Sequence, residues 1–95
     1  MNVKINAVNF KADDKLTEFI QDKVSKLERH AAGLLEADVT LNVDKPESAH
    51  NKVAGIRLVV KGNDLFASKQ ADSFEEAVML SIDALKSQIS KFKDR

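Results

Sequence analysis

Apolar positions run first with a period of two, then near 3.6, then again with a period of two through three short stretches, then near 3.6 to the end. Val3, Ile5 and Ala7 alternate with Asn2, Lys4 and Asn6, which predicts a strand over residues 1–10 with one buried face. A polar connection follows over 11–14, with Asp13 placed to cap a helix. From Leu16 to Ala32 the period becomes helical. Leu16, Phe19, Ile20, Val24, Leu27 and Ala31 face one way, and Gly33 supplies a stop.

Val39, Leu41 and Val43 then set a second strand over 38–45, and residues 46–51, with the chain's one proline, form a turn. Ala54, Ile56, Leu58 and Val60 set a third strand over 52–61. Gly62-Asn63-Asp64 signals a hairpin. A fourth strand, 65–71, turns Leu65 and Ala67 inward and Phe66 outward, beside Arg57 and Lys69. That Phe is either a cover for the back of the sheet or a platform for stacking bases.

The last stretch, 72–95, reads as one amphipathic helix. Ser73 and Glu76 have capping-box spacing, and Phe74, Val78, Ile82, Leu85, Ile89 and Phe92 form its stripe. The order is β-α-β-β-β-α. Short connections make strands two to four an antiparallel meander, and both apolar helix stripes need cover. The economical solution is α+β, with two helices on one face of a four-stranded sheet. At 95 residues this is one domain, 1–95.

Composition narrows the chemistry. There are no cysteines, so thiolate metal sites and disulfides are excluded. No apolar run is long enough to span a bilayer, and the first ten residues lack the apolar stretch of a signal peptide, so a cytoplasmic protein is expected. Lys and Arg number 15 against 15 Asp and Glu, so an anionic partner would have to meet a local patch. Residues 86–95 carry four bases and one acid. Acids open the last helix and bases close it, which suits the helix dipole even without a ligand. On the first helix Lys23, Lys26 and His30 lie along one flank beside Phe19. Alone they read as a solvated edge; side by side with the last helix they merge into one basic surface.

No catalytic arrangement is present. His30 and His50 are far apart, no Gly-rich phosphate loop or Gly-x-Ser-x-Gly turn occurs, and the acid pairs Asp13-Asp14 and Glu75-Glu76 open helices. No enzyme activity, cofactor, metal or small-molecule substrate is expected.

Thr17-Glu18-Phe19-Ile20, then Lys23, then Lys26-Leu27-Glu28 resembles the first helix of the ribosome hibernation promoting factors and ribosome-associated inhibitors. Ala77-Val78, Ile82-Asp83, Leu85, Gln88-Ile89-Ser90-Lys91 and Lys93 resemble their second helix, and Val3-x-Ile5 with Asn9 and Leu65-x-Ala67 also fit. The likeness covers nearly the whole chain, in order. The family has also been described as sigma-54 modulation proteins. The resemblance implies a fold similar to a double-stranded-RNA-binding domain. It also implies binding to ribosomal RNA of the small subunit, in the channel for mRNA and tRNA, which silences idle ribosomes in stationary phase or stress. Carried over, the phosphate-binding residues are Lys23, Lys26, Lys86, Lys91 and Lys93; Arg29 and Arg95 are added from position.

Two departures stand out. Met79 and Ala84 occupy positions where the family often has an acid and a lysine. Long members carry a further ribosome-pairing domain, so a chain ending at Arg95 is expected to be a short form, monomeric off the ribosome. The alternative is a protein-interaction or regulatory module of the same fold that binds no RNA, as the neutral net charge would suit.

Overall fold

A computed structural model describes residues 2–31, 33–45, 47 and 49–93, without the side chains of Phe92 and Lys93. The elements are β1 (Asn2–Ala7), α1 (Asp14–Ser25), a 3-10 turn (Lys26–Arg29), β2 (Leu34–Val43), β3 (Lys52–Val60), β4 (Asn63–Ala71) and α2 (Phe74–Lys93). The four strands lie in chain order, β1 parallel to β2 and the others antiparallel.

Alternation decides which face meets the helices. Ala37, Val39, Leu41, Ala54, Ile56, Leu58, Ala67 and Ala71 are buried, and they pack with Ile20, Val24, Leu27, Val78, Ile82, Leu85 and Ile89 from the helices. Small side chains at Ala54, Ala67, Ala71 and Ala77 let α2 close on β3 and β4. The approach is near enough for the buried Ser81 hydroxyl to donate to the Ala54 carbonyl at 2.9 Å. A hydroxyl inside an apolar stripe is thereby satisfied.

Both caps form. The Leu16 amide donates to Asp13 Oδ1 at 2.8 Å, and the Glu76 amide donates to the Ser73 hydroxyl at 3.1 Å. Four differences from the sequence reading matter. The first helix stops at Ser25 and tightens into the 3-10 turn, so the expected α-helix through residue 32 is shorter. Gly33, at φ 84°, turns the chain into β2 rather than ending the helix. β2 begins at Leu34, four residues before the expected 38, because the register shifts between Leu34 and Glu36. Leu35 is the extra residue of that bulge, and it breaks the alternation that marks a strand. The hairpin turn is Lys61-Gly62, with Gly62 at φ 85°, and Asn63 and Asp64 already pair in β4.

α1 follows β1 and runs back along the sheet, and α2 does the same after β4, which points the same way. The helices are therefore parallel. Phe10, just before α1, stacks on Phe74 at the start of α2, with centroids 5.0 Å apart and planes 10° apart. At the other end, His30 shares a cavity with Lys86, Ile89 and Ser90. Among the described residues no helix is long and apolar enough to cross a membrane.

Candidate nucleic-acid interface

The parallel arrangement carries Lys23, Lys26 and Arg29 to the same end of the molecule as Lys86 and Lys91. Basic groups near helix C-termini are favoured by the dipole, so this clustering costs the fold little. The side chain of Lys93 and all of Arg95 lie outside the described residues.

The gathered cations are not equivalent. Lys26 Nζ lies 3.3 Å from Asp22 Oδ2, one helical turn earlier, and Lys23 Nζ lies 3.9 Å from the same oxygen. Lys23 also sits over the Phe19 ring, 5.7 Å from its centroid, with its stem half-buried. One carboxylate thus partly neutralises two of the predicted residues. Arg29, Lys86 and Lys91 are exposed and form no ion pair with the described residues. Within this group of cations the uncommitted ones lie at the 3-10 turn and in the second half of α2.

The opposite sheet face cannot add to this surface. Lys4 pairs with Glu36 at 3.1 Å, and Arg57 approaches Asp38 at 3.4 Å and Asp64 at 3.8 Å. The Lys4 hydrogen bond holds the Glu36 carboxyl below its ordinary value. Desolvation pushes the other way and is outweighed, because hydrogen bonding with Asp38 and the charges of Lys4 and Arg57 act with Lys4. Phe66 lies on this face opposite Arg57, as expected, but Lys69 does not. The register sets Lys69 against Ala54, on the helix side, so β4 separates it from Phe66.

The larger hollow, about 460 Å³ between β1 and α1, includes Glu18 and Asp22 in its lining, a poor setting for an anion. The smaller cavity at the helix ends, about 190 Å³, is lined by His30, Lys86, Ile89 and Ser90. Ser90 was absent from the predicted site, although it sits one turn beyond Lys86 and so on the same side of α2. His30 was placed on the basic flank without a role of its own.

A four-stranded sheet with two parallel helices on one face, and unpaired bases at their common end, makes this a small α+β domain with a cationic pole. The chain belongs to the family described as Sigma 54 modulation protein / S30EA ribosomal protein, whose model matches residues 3–95. The ribosome hibernation promoting factor of Escherichia coli (strain K12) is 30% identical over 95 residues, covering 100% of this chain and 96% of that protein. The factor of the same name from Azotobacter vinelandii is 27% identical, over 100% of this chain and 85% of its own length. A ribosomal subunit interface protein from Coxiella burnetii has the same fold, with a TM-score of 0.88 at 17% identity and 100% of both chains covered.

Proposed function

We infer that this chain is a ribosome hibernation factor that binds ribosomal RNA of the small subunit and holds idle ribosomes out of translation. The observation that carries this reading is the cationic pole in a chain of this family. Arg29, Lys86 and Lys91 stand uncommitted where two parallel helices end. The names of the relatives agree with it. Lys23, Lys26, Lys93 and Arg95 extend the same surface in this proposal. The contacts neutralise backbone phosphates and position the domain without reading sequence.

The action is steric. A folded domain lodged in the path of mRNA and tRNA prevents their entry, and nothing is turned over. The chain acts in the cytoplasm as one domain, monomeric when off the ribosome.

Co-sedimentation with purified ribosomes over a range of salt tests the reading. Three phosphate contacts give a log–log slope of about −2 to −3, at roughly −0.7 to −0.9 per contact. Saturable binding near one per small subunit with that slope is the expected result. A folded sample that fails to sediment with ribosomes at low salt overturns it. The second reading, a protein-interaction module, then gains from the neutral net charge and from Asp22 holding two of the lysines.

A further inference from the structure

Several polar side chains near other turns and helix ends are committed to protein partners: His50 Nδ1 lies 2.7 Å from Asp72, Lys52 donates to Asn51 at 2.7 Å, and Ser25 donates to the Asp22 carbonyl at 3.1 Å. In the cavity, the side chains of His30, Lys86 and Ser90 have no hydrogen bond or ion pair with the described residues. Three uncommitted groups from two elements converge on one hollow, with the buried Ile89 as its apolar floor.

We propose that this cavity is a single-phosphate site, which takes one backbone phosphate of bound RNA. The proposal rests on the ribosome-binding reading and deepens it. At about 190 Å³ the hollow has room for roughly six waters at about 30 Å³ each, enough for a phosphate and part of its hydration shell. The Lys86 ammonium supplies charge, and the Ser90 hydroxyl and a His30 ring N–H supply directed donors. The carbonyl end of the first helical segment sets roughly half a negative charge against an anion here. The full charge of Lys86, with that of Arg29 at the same end, outweighs it. Among the described residues no acid lines the cavity. A free phosphate has the same chemistry as the RNA backbone, so the two sources must be separated by experiment.

Ribosome binding is compared for the full chain and its Ser90→Ala, His30→Ala and Lys86→Gln variants, with Lys15→Gln as an exposed control away from the cavity. Circular dichroism checks that each is folded. Ser90→Ala and His30→Ala are expected to weaken binding roughly fivefold each, the size of one hydrogen bond, with Ser90→Ala leaving the salt slope unchanged. Lys86→Gln reduces that slope by about 0.7–0.9. If the wild type binds and the Ser90 and His30 variants bind equally well, the RNA-phosphate site is overturned while the ribosome-binding reading stands. If the wild type does not bind, that reading falls. NMR titration with inorganic phosphate against chloride at equal ionic strength then judges the cavity alone. Saturable shifts at His30 and Ser90 specific to phosphate support an anion site with free phosphate as its ligand; shifts equal to those with chloride overturn it.

Discussion

The Phe66 ring lies across Gly55: a Cβ placed on that glycine would meet the ring's Cζ at 3.4 Å. The two residues sit diagonally on neighbouring strands, two residues out of register, on the face away from the helices. Gly55 is buried, and the atoms nearest over it are two of this ring and the Ser68 hydroxyl. Phe66 is therefore a cover for a bare stretch of sheet, which favours the structural role of an outward aromatic over base stacking. Phe66→Ala should lower unfolding free energy by about 0.2–1 kcal/mol, the scale of one cross-strand pair. Ribosome co-sedimentation should stay at the wild-type level. A loss of binding by a folded Phe66→Ala variant would return Phe66 to the interface.

Asp22 restrains the first helix. It holds Lys26 in the favoured orientation, acid four residues before base, and partly neutralises Lys23. Asp22→Asn should cost stability by about 0.3–0.5 kcal/mol and tighten ribosome binding roughly two- to fivefold, the scale of one exposed ion pair. Lys86→Gln should weaken binding more than Lys26→Gln, because Lys26 is already shared with a carboxylate. Competition titration against ribosomes ranks the three. Unchanged affinity for Asp22→Asn would remove α1 from the interface.

Acid should reveal the Lys4–Glu36 contact. Glu36 titrates below its ordinary 4.5 in the folded chain. The unfolded chain therefore binds the proton first, and the contribution of Glu36 is complete above about 4.5 and lost as pH falls through the lower folded value. Lys4→Met removes the largest cause of the depression. Its melting temperature should consequently fall less than that of the wild type between neutral pH and pH about 3.5. Parallel melting curves for the two proteins over that range would dismiss the contact as a source of acid sensitivity.

Ser81 tests the seat of α2. Its hydroxyl is fully buried, and among the described residues its partner is the Ala54 carbonyl. Ser81→Ala should reduce stability in urea by about 0.5–1.5 kcal/mol, and Ser81→Val by more, since added methyl groups push the helix from the sheet. A Ser81→Val protein as stable as Ser81→Ala would mean that α2 tolerates more space there than its small-residue contacts imply.

Periodicity exposed most of the architecture. The phases of β1, β3 and α2, the caps at Asp13 and Ser73, and the sharing of one face by both helices all follow from local patterns that the core reinforces. The start of β2 was hidden because the bulge at Leu35 adds a residue and cancels the alternation. The shortened first helix was hidden because Leu27 is buried whether its turn is α or 3-10. The family was legible in the two helix stretches. The residue types of the basic surface were legible too, but not their inequality. Which lysine is already paired depends on where Asp22 points, and which serine is left over depends on how the helix ends meet. Lys69 faces the helix side because it shares strand β4 with Phe66 at an odd spacing and with Ala67 at an even one, so parity sets it apart from Phe66.

The Phe10–Phe74 stack gives the molecule a lever. It ties the two helices together at their starts, while the charges stand at the far end. α1 and its 3-10 turn span about 26 Å, from 1.5 Å and 2.0 Å of rise per residue. A tilt of about 5° at the stack moves the far end by roughly 2 Å over that span. The stack touches neither Arg29 nor Lys86, and between it and them Ile20, Val24 and Leu27 seat the first helical segment on the core. A substitution at residue 10 or 74 would act on the basic end only through that packed segment, while every basic residue stays in place.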